Sequence, residues 1–170
     1  MTELKARRLI WHGVFLFFLG LVVGLIIPLL ENPRMGLSAH MEGILNGLFL
    51  LVLGLIWNRI RLSKRVQSIL FWLALYGTYM NFASTLLAAV FGTSRSTPIA
   101  GAGFQGEPWQ ENLVDFGLFS LTAAMLVVCI IVLWGLRNGV SRPGSSAAQG
   151  FVPTADSPKE DLQHKGSCKG

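Results

Sequence analysis

The sequence predicts an all-α membrane protein, a bundle of four transmembrane helices followed by a disordered C-terminal tail. Hydrophobic residues make up 52% of the 170 residues and charged residues only 14%. A soluble domain of this size needs more charge than that on its surface. Four segments are also apolar over the roughly 20 residues that a helix needs to cross about 30 Å of hydrocarbon. The bilayer is therefore the expected solvent of a single membrane domain, residues 1–138.

The four predicted helices cover, in chain order, about residues 9–30, 38–57, 66–91 and 112–136. The second contains Glu42 as its only charge, the third contains none, and the fourth contains Asp115 alone. Asn32-Pro33 breaks the chain after the first helix, and a stretch rich in Gly, Ser and Pro precedes the fourth. From residue 139 to residue 170 the sequence has too little apolar surface to pack, which predicts a disordered tail.

Lysine and arginine are unevenly distributed among the predicted loops. Most of them lie at the N-terminus, between the second and third helices, and after the fourth helix; Arg34 and Arg95 are the single basic residues of the other two loops. The positive-inside rule then places both termini in the cytoplasm. Because the basic residues flank apolar runs in short loops rather than forming a polar face, the net charge of +5 does not predict a nucleic-acid partner.

Polar residues inside the predicted helices are candidates for a functional site, because such groups are costly at membrane depth. His12, one turn after Arg8, is expected to be an interfacial imidazole without a role. The others lie in the second, third and fourth helices. They are His40, Glu42, Asn46, Tyr76, Tyr79, Asn81 and Asp115. The predicted topology places His40, Glu42, Asn46, Asn81 and Asp115, which come from all three of these helices, in the outer half of the bilayer. Their convergence predicts a site rather than scattered packing contacts.

Helical angles separate these residues into faces. His40, Gly43 and Gly47 share one face of the second helix, while Glu42 and Asn46 share another. The small residues at Gly43 and Gly47 fit two interpretations, a seam for helix packing or a flat surface under His40 for a planar ligand such as a porphyrin. Glu42 and Asp115 are candidate proton donors or relays.

Three classes of function remain open on these residues. An enzyme would use the polar cluster as an active site. A small proton-coupled transporter would use its carboxyls for binding, but such transporters usually carry a carboxylate in the middle of the first helix, and residues 9–30 contain none. A structural adaptor would tolerate substitution of His40, Glu42 and Asn46 together.

Four stretches of the sequence resemble the hydroxylaminobenzene mutases, small bacterial membrane enzymes. They are NPRMGLSAHMEGILNG from Asn32, WLALYGTYMN from Trp72, GEPWQE from Gly106 and LWGL from Leu133. The resemblance covers about residues 9–137 and implies an isomerase of the bacterial inner membrane that converts hydroxylaminobenzene to 2-aminophenol. It implies no nicotinamide or flavin, and the sequence contains no dinucleotide-binding glycine fingerprint.

A more distant similarity, to styrene oxide isomerase, lies in the spacing Ala-His, then Asn-Gly, at Ala39-His40 and Asn46-Gly47. It implies that His40 ligates haem b at a subunit interface of a trimer and that Asn46 lies in the substrate pocket. Asn81 corresponds more loosely to a pocket asparagine, while Tyr76 and Tyr79 are candidates by chemistry alone. The resulting hypothesis is that haem iron acts as a Lewis acid, that the asparagines orient the substrate, and that Glu42 or Asp115 moves protons.

Overall fold

The computed structural model describes residues 2–137 and confirms the predicted all-α fold. Its helices are α1 (Thr2–Ile26), α2 (Pro33–Ile56), α3 (Lys64–Phe91), the short α4 (Pro98–Gly101) and α5 (Pro108–Arg137), with 3₁₀ turns at Ile27–Leu29 and Trp57–Arg59. The four long helices are α1, α2, α3 and α5, and each is long and apolar enough to cross a membrane. The predicted tail, residues 139–170, lies outside the described residues.

The helices begin earlier than the apolar runs predict, because polar and proline residues form their first turns. Pro33 occupies the first turn of α2, and the Asn32 side chain accepts hydrogen bonds from the backbone N–H groups of Arg34 and Met35. Proline is pre-organised for a helix start, and an asparagine cap satisfies donors that have no partner within the helix. In the same way α5 begins at Pro108.

The long helices pack in chain order. α1 packs on α2, α2 on α3, and α3 on α5, and the α1–α2 contact is the most extensive of the three, while α1 and α3 meet only slightly. Glycines make the α1–α2 contact close: a Cβ atom added to Gly20 would lie 2.8 Å from the backbone N of Ile44, and one added to Gly13 would lie 2.8 Å from the carbonyl oxygen of Gly47. Small residues are what allow two helix backbones to approach this closely in a membrane.

The two ends of the bundle differ in charge. The basic end carries the N-terminal part of α1, the α2–α3 connection and the end of α5; its Lys and Arg residues are Lys5, Arg7, Arg8, Arg59, Arg61, Lys64, Arg65 and Arg137. The opposite end, called the loop end, carries the α1–α2 connection and the segment 92–107. Asn32 ties these two connections together, since its side-chain amide donates to the carbonyl oxygen of Gly101 at 2.9 Å.

Candidate active site

Glu42, Asn46 and Asn81 form one hydrogen-bonded group between α2 and α3, called here the amide–carboxylate cluster. Oε2 of Glu42 accepts from the side-chain amide of Asn46 at 2.9 Å and from that of Asn81 at 2.6 Å. Asn46 is buried, and the other two are partly buried. Glu42 is nine residues into α2, which puts the cluster about 13 Å from the loop end of that helix at the usual rise per residue.

The hydrogen bonds fix which atoms of the cluster remain available. A carboxylate only accepts, so the NH₂ groups of Asn46 and Asn81 must face Glu42. The amide nitrogen of Asn46 is further held by the backbone carbonyl of Glu42 at 2.9 Å. Within residues 2–137 no hydrogen bond engages Oδ1 of either asparagine or Oε1 of Glu42. The cluster therefore offers three oxygen acceptors to a ligand that carries N–H and O–H donors.

The threonines beside Asn81 on α3 do not extend this cluster. The hydroxyl of Thr78 donates to the carbonyl of Ala74 at 2.8 Å, and that of Thr85 donates to the carbonyl of Asn81 at 2.8 Å. Both hydroxyls are therefore satisfied by the preceding turn of their own helix, a common arrangement for threonine within a helix. The polar chemistry of this part of α3 is carried by Asn81.

His40 lies on the other side of α2 and contacts α1. Its Nδ1 is 2.8 Å from the carbonyl oxygen of Gly20, and its ring lies over Gly24. Because a carbonyl oxygen can only accept, Nδ1 carries the proton, and the lone pair of the neutral ring is on Nε2. At roughly 100° per residue His40 points about 160° away from Glu42 around the helix. Within one chain, His40 and the cluster thus face different directions.

Gly43 and Gly47, the proposed floor of a porphyrin site, are covered by α1. A Cβ atom on Gly43 would lie 2.5 Å from the Cα of Gly20, and one on Gly47 would lie 2.7 Å from the backbone N of Phe17. No space for a planar ligand exists between α2 and α1 at these positions. The contacts support the other interpretation of the two glycines, a helix-packing seam.

The two tyrosines of α3 bond to different helices, Tyr76 to α5 and Tyr79 to α1, and neither bonds to the cluster. Tyr76 is 41% exposed and donates its hydroxyl proton to Ser120 of α5 at 2.9 Å. Tyr79 is partly buried, and its hydroxyl is hydrogen-bonded to Nδ1 of His12 at 2.9 Å. His12, which is partly buried, therefore has a specific partner on α3. The sequence had predicted an interfacial imidazole without a role, and it did not predict this partner.

Asp115 belongs to the loop end rather than to the cluster. Its carboxylate accepts from Nε of Arg95 at 2.6 Å and from the hydroxyl of Ser96, and it forms an ion pair with the same arginine. Arg95 also donates to the side chain of Asn112 at 2.6 Å. The structure thus separates the two carboxyls that sequence analysis considered together: Glu42 faces two amides, and Asp115 faces a cation.

Glu111, in the GEPWQE stretch, is a buried polar residue that sequence analysis did not select. Its carboxylate accepts hydrogen bonds from the backbone N–H groups of Ser94 at 3.1 Å, Arg95 at 3.0 Å and Gly106 at 3.2 Å. Its side chain is only 8% exposed in the folded chain. Glu111 therefore holds together the two ends of the segment that covers the loop end. An acidic residue in the first turn of a helix is a signal that could have indicated such a role.

Comparison with known proteins places the chain in a family. Residues 5–137 match the family model described as styrene oxide isomerase. Two relatives from Ectopseudomonas oleovorans are similar over nearly their whole length: "Hydroxylaminobenzene mutase HabB" is 48% identical, covering 88% of this chain and 93% of its own. "Hydroxylaminobenzene mutase HabA" is 43% identical, covering 73% of this chain and 93% of its own. No solved structure matches the chain. This chain, a multi-pass membrane protein by its four apolar helices, belongs to the styrene oxide isomerase family.

Proposed function

We propose that this protein is a membrane-bound hydroxylaminobenzene mutase, an isomerase that converts hydroxylaminobenzene to 2-aminophenol. Two relatives that carry this activity in their names match at 48% and 43% identity. The observation that carries the proposal is the geometry of the amide–carboxylate cluster, in which one carboxylate oxygen accepts from two amides and three further oxygens have no hydrogen-bond partner among residues 2–137. The substrate brings the complementary donors, one N–H and one O–H.

The reaction moves a hydroxyl group without gain or loss of atoms or electrons. The N–O bond breaks, a C–O bond forms at the ortho carbon of the ring, the proton on that carbon leaves, and the nitrogen gains a proton. Oδ1 of Asn46 and Oδ1 of Asn81 accept the hydrogen bonds of the substrate and so fix its orientation. Oε1 of Glu42 takes the proton from the ortho carbon and returns it to the nitrogen.

A haem b group is proposed as cofactor, and His40 is the residue that would hold its iron. The donor chemistry of this residue fits the group, because the bond from Nδ1 to the Gly20 carbonyl leaves the Nε2 lone pair for a metal. Gly43 and Gly47 do not fit a role against the macrocycle, since α1 covers them. When bound, the iron supplies a Lewis acid for the hydroxyl oxygen of the substrate.

An oligomer is proposed because His40 and the cluster point to different sides of α2. A site that uses both would combine His40 of one subunit with the cluster of its neighbour, and the trimer of the resemblance provides such interfaces. The protein is further proposed to lie in the bacterial inner membrane with its basic end in the cytoplasm, because basic residues concentrate there.

The activity is tested by incubating membranes that contain the protein with hydroxylaminobenzene labelled with ¹⁸O, without added cofactor. The expected result is 2-aminophenol that retains the label, because the hydroxyl transfer is intramolecular. Matched membranes with Glu42→Gln form the control. Absence of 2-aminophenol, or loss of the label to water, would overturn the proposed isomerisation.

The cofactor is tested separately with purified protein. We expect a Soret band in the wild type that is lost in His40→Ala. Wild-type protein with full activity and no Soret band would contradict the proposed haem. A His40→Ala variant that keeps both the band and the activity would contradict the assignment of the ligand.

A further inference from the structure

His40 is held by α1 through two glycines, one turn apart, that act in different ways. The carbonyl of Gly20 accepts the proton of Nδ1 at 2.8 Å. Gly24 provides the space for the ring: a Cβ atom at this position would lie 2.7 Å from Nδ1 and 2.9 Å from Cε1 of His40. Contacts under 3.0 Å do not persist between such atoms, so any side chain at residue 24 would displace the imidazole.

The close approach of α1 and α2 is what brings the carbonyl of Gly20 within hydrogen-bonding distance. A Cβ atom on Gly20 would lie 2.9 Å from the backbone carbonyl carbon of Gly43, so the helices cross here with their backbones nearly in contact. A carbonyl of a helix backbone already accepts from the residue four positions later. Its second lone pair is free to accept from a side chain.

We propose that Gly20 and Gly24 are positioning residues that set the tautomer and the ring orientation of His40. The bond to the Gly20 carbonyl holds the proton on Nδ1, and the open position at Gly24 lets the ring reach that bond. Nε2 is then fixed as the ligating nitrogen in advance of binding. This inference rests on the proposed function insofar as His40 is taken as the ligand of haem iron. It gives α1 a role in the site that is separate from the amide–carboxylate cluster.

Two consequences distinguish positioning from simple packing. A metal-bound histidine that donates its second N–H to a carbonyl is the more basic ligand, and loss of such a partner typically weakens metal binding about 10- to 100-fold. Loss of this hydrogen bond also makes the imidazole a weaker electron donor to the iron. Ferric iron is then stabilised less, and the reduction potential of the iron rises. A packing defect elsewhere in the same seam would change neither quantity by this route.

The test compares Gly24→Ala with Gly13→Ala. Gly13 lies in the same α1–α2 seam, and a Cβ atom there would meet the carbonyl oxygen of Gly47 at 2.8 Å; its nearest neighbours belong to Gly47 and Leu51 and not to His40. The conflict in Gly13→Ala is thus with the backbone of α2, while the conflict in Gly24→Ala is with the imidazole of His40. Gly13→Ala therefore disturbs the helix seam at least as strongly, without touching His40 directly. Circular dichroism and gel filtration in detergent establish that each variant is folded.

We expect the haem content per chain of purified Gly24→Ala to fall, with dissociation about 10- to 100-fold easier, and the reduction potential of the remaining haem to rise. Gly13→Ala should retain the wild-type potential. Equal changes in both variants, or an unchanged potential in Gly24→Ala, would overturn the inference.

A second measurement does not depend on haem. Nitrogen-15 NMR of labelled imidazoles reports the tautomer of each histidine, and the signal of His40 is identified by its loss in His40→Gln. We expect the Nδ1–H form in the wild type and in Gly13→Ala, and a mixture of tautomers in Gly24→Ala. If the wild type carries no haem but shows the Nδ1–H form, the proposed cofactor fails while the positioning of His40 stands. An Nε2–H form in the wild type would overturn the inference itself.

Discussion

Asn81 of α3 donates its side-chain amide to Glu42 of α2 at 2.6 Å. This bond joins residues 39 positions apart in the chain and connects two helices through polar groups within an otherwise apolar span. It also orients Oδ1 of Asn81 away from Glu42. The pair therefore links the two helices and presents an oxygen that can accept a hydrogen bond from a ligand.

Replacement of Glu42 by Gln tests the proposed role in proton transfer. Gln keeps the size of the side chain but cannot take up a proton at neutral pH, and general acid–base catalysis typically contributes about 10²- to 10⁴-fold to a rate. We expect a loss of kcat in that range, measured by formation of 2-aminophenol. Glu31→Gln, which changes an exposed carboxyl of the loop end, serves as control and should keep the wild-type rate.

Replacement of Asn81 by Leu removes one of the two amides on Glu42 and one substrate acceptor. A hydrogen bond to a charged group is worth about 1.5–3 kcal/mol, so we expect kcat/KM to fall about 10- to 100-fold. Thr85→Val is the matched control, because its hydroxyl bonds only to its own helix. Similar losses in both variants would indicate a general defect of α3 rather than a role of Asn81 in the site.

Replacement of Asp115 by Asn tests whether proton transfer depends on this carboxyl or on Glu42 alone. The ion pair of Asp115 is with Arg95; the Asp115 side chain is 15% exposed and the Arg95 side chain 53%. An ion pair that water reaches contributes about 0–1 kcal/mol, and an Asn at this position can still accept a hydrogen bond from Arg95. We expect the free energy of unfolding to fall by no more than about 1 kcal/mol and the mutase rate to be retained. A loss of activity as large as that of Glu42→Gln would show that proton transfer depends on Asp115 as well.

Glu111→Ala should destabilise the loop end. It leaves the backbone N–H groups of Ser94, Arg95 and Gly106 without their acceptor. These three residues are partly buried or exposed, so water can replace part of what is lost, and a hydrogen bond to a charged group is worth about 1.5–3 kcal/mol. We expect a drop of about 1.5–3 kcal/mol in the free energy of unfolding, measured by thermal unfolding in detergent. Glu107→Ala, at an exposed glutamate of the same stretch, should unfold near the wild-type temperature. Equal destabilisation by both would contradict the assigned role.

The sequence was sufficient to predict the four spans and the common helical face of Glu42 and Asn46. Length and hydropathy define spans directly, and the four-residue spacing of Glu42 and Asn46 puts both on one helical face whatever the neighbours are. The helix starts were predicted late, because an apolar run does not include the cap and proline of Asn32-Pro33.

Contacts across long sequence separations could not be predicted. Asp115 is paired by Arg95, a residue of an irregular segment without periodicity, and His12 meets Tyr79 across 67 positions. Gly43 and Gly47 left two interpretations open because a small-residue face accepts either a helix or a flat ligand, and only the position of α1 decides between them. The cofactor and the assembly of subunits stay predictions.

The sequential packing of the helices has a consequence for biogenesis. Each of α2, α3 and α5 packs against the long helix that immediately precedes it in the chain, so α2 can associate with α1 as soon as both have entered the bilayer, and α3 and then α5 can join in turn. Assembly in the order of synthesis leaves few polar groups waiting for a distant partner. Glu42 is then exposed to lipid without the amide of Asn81 only until α3 arrives, which makes insertion of the third helix the step that completes the cluster.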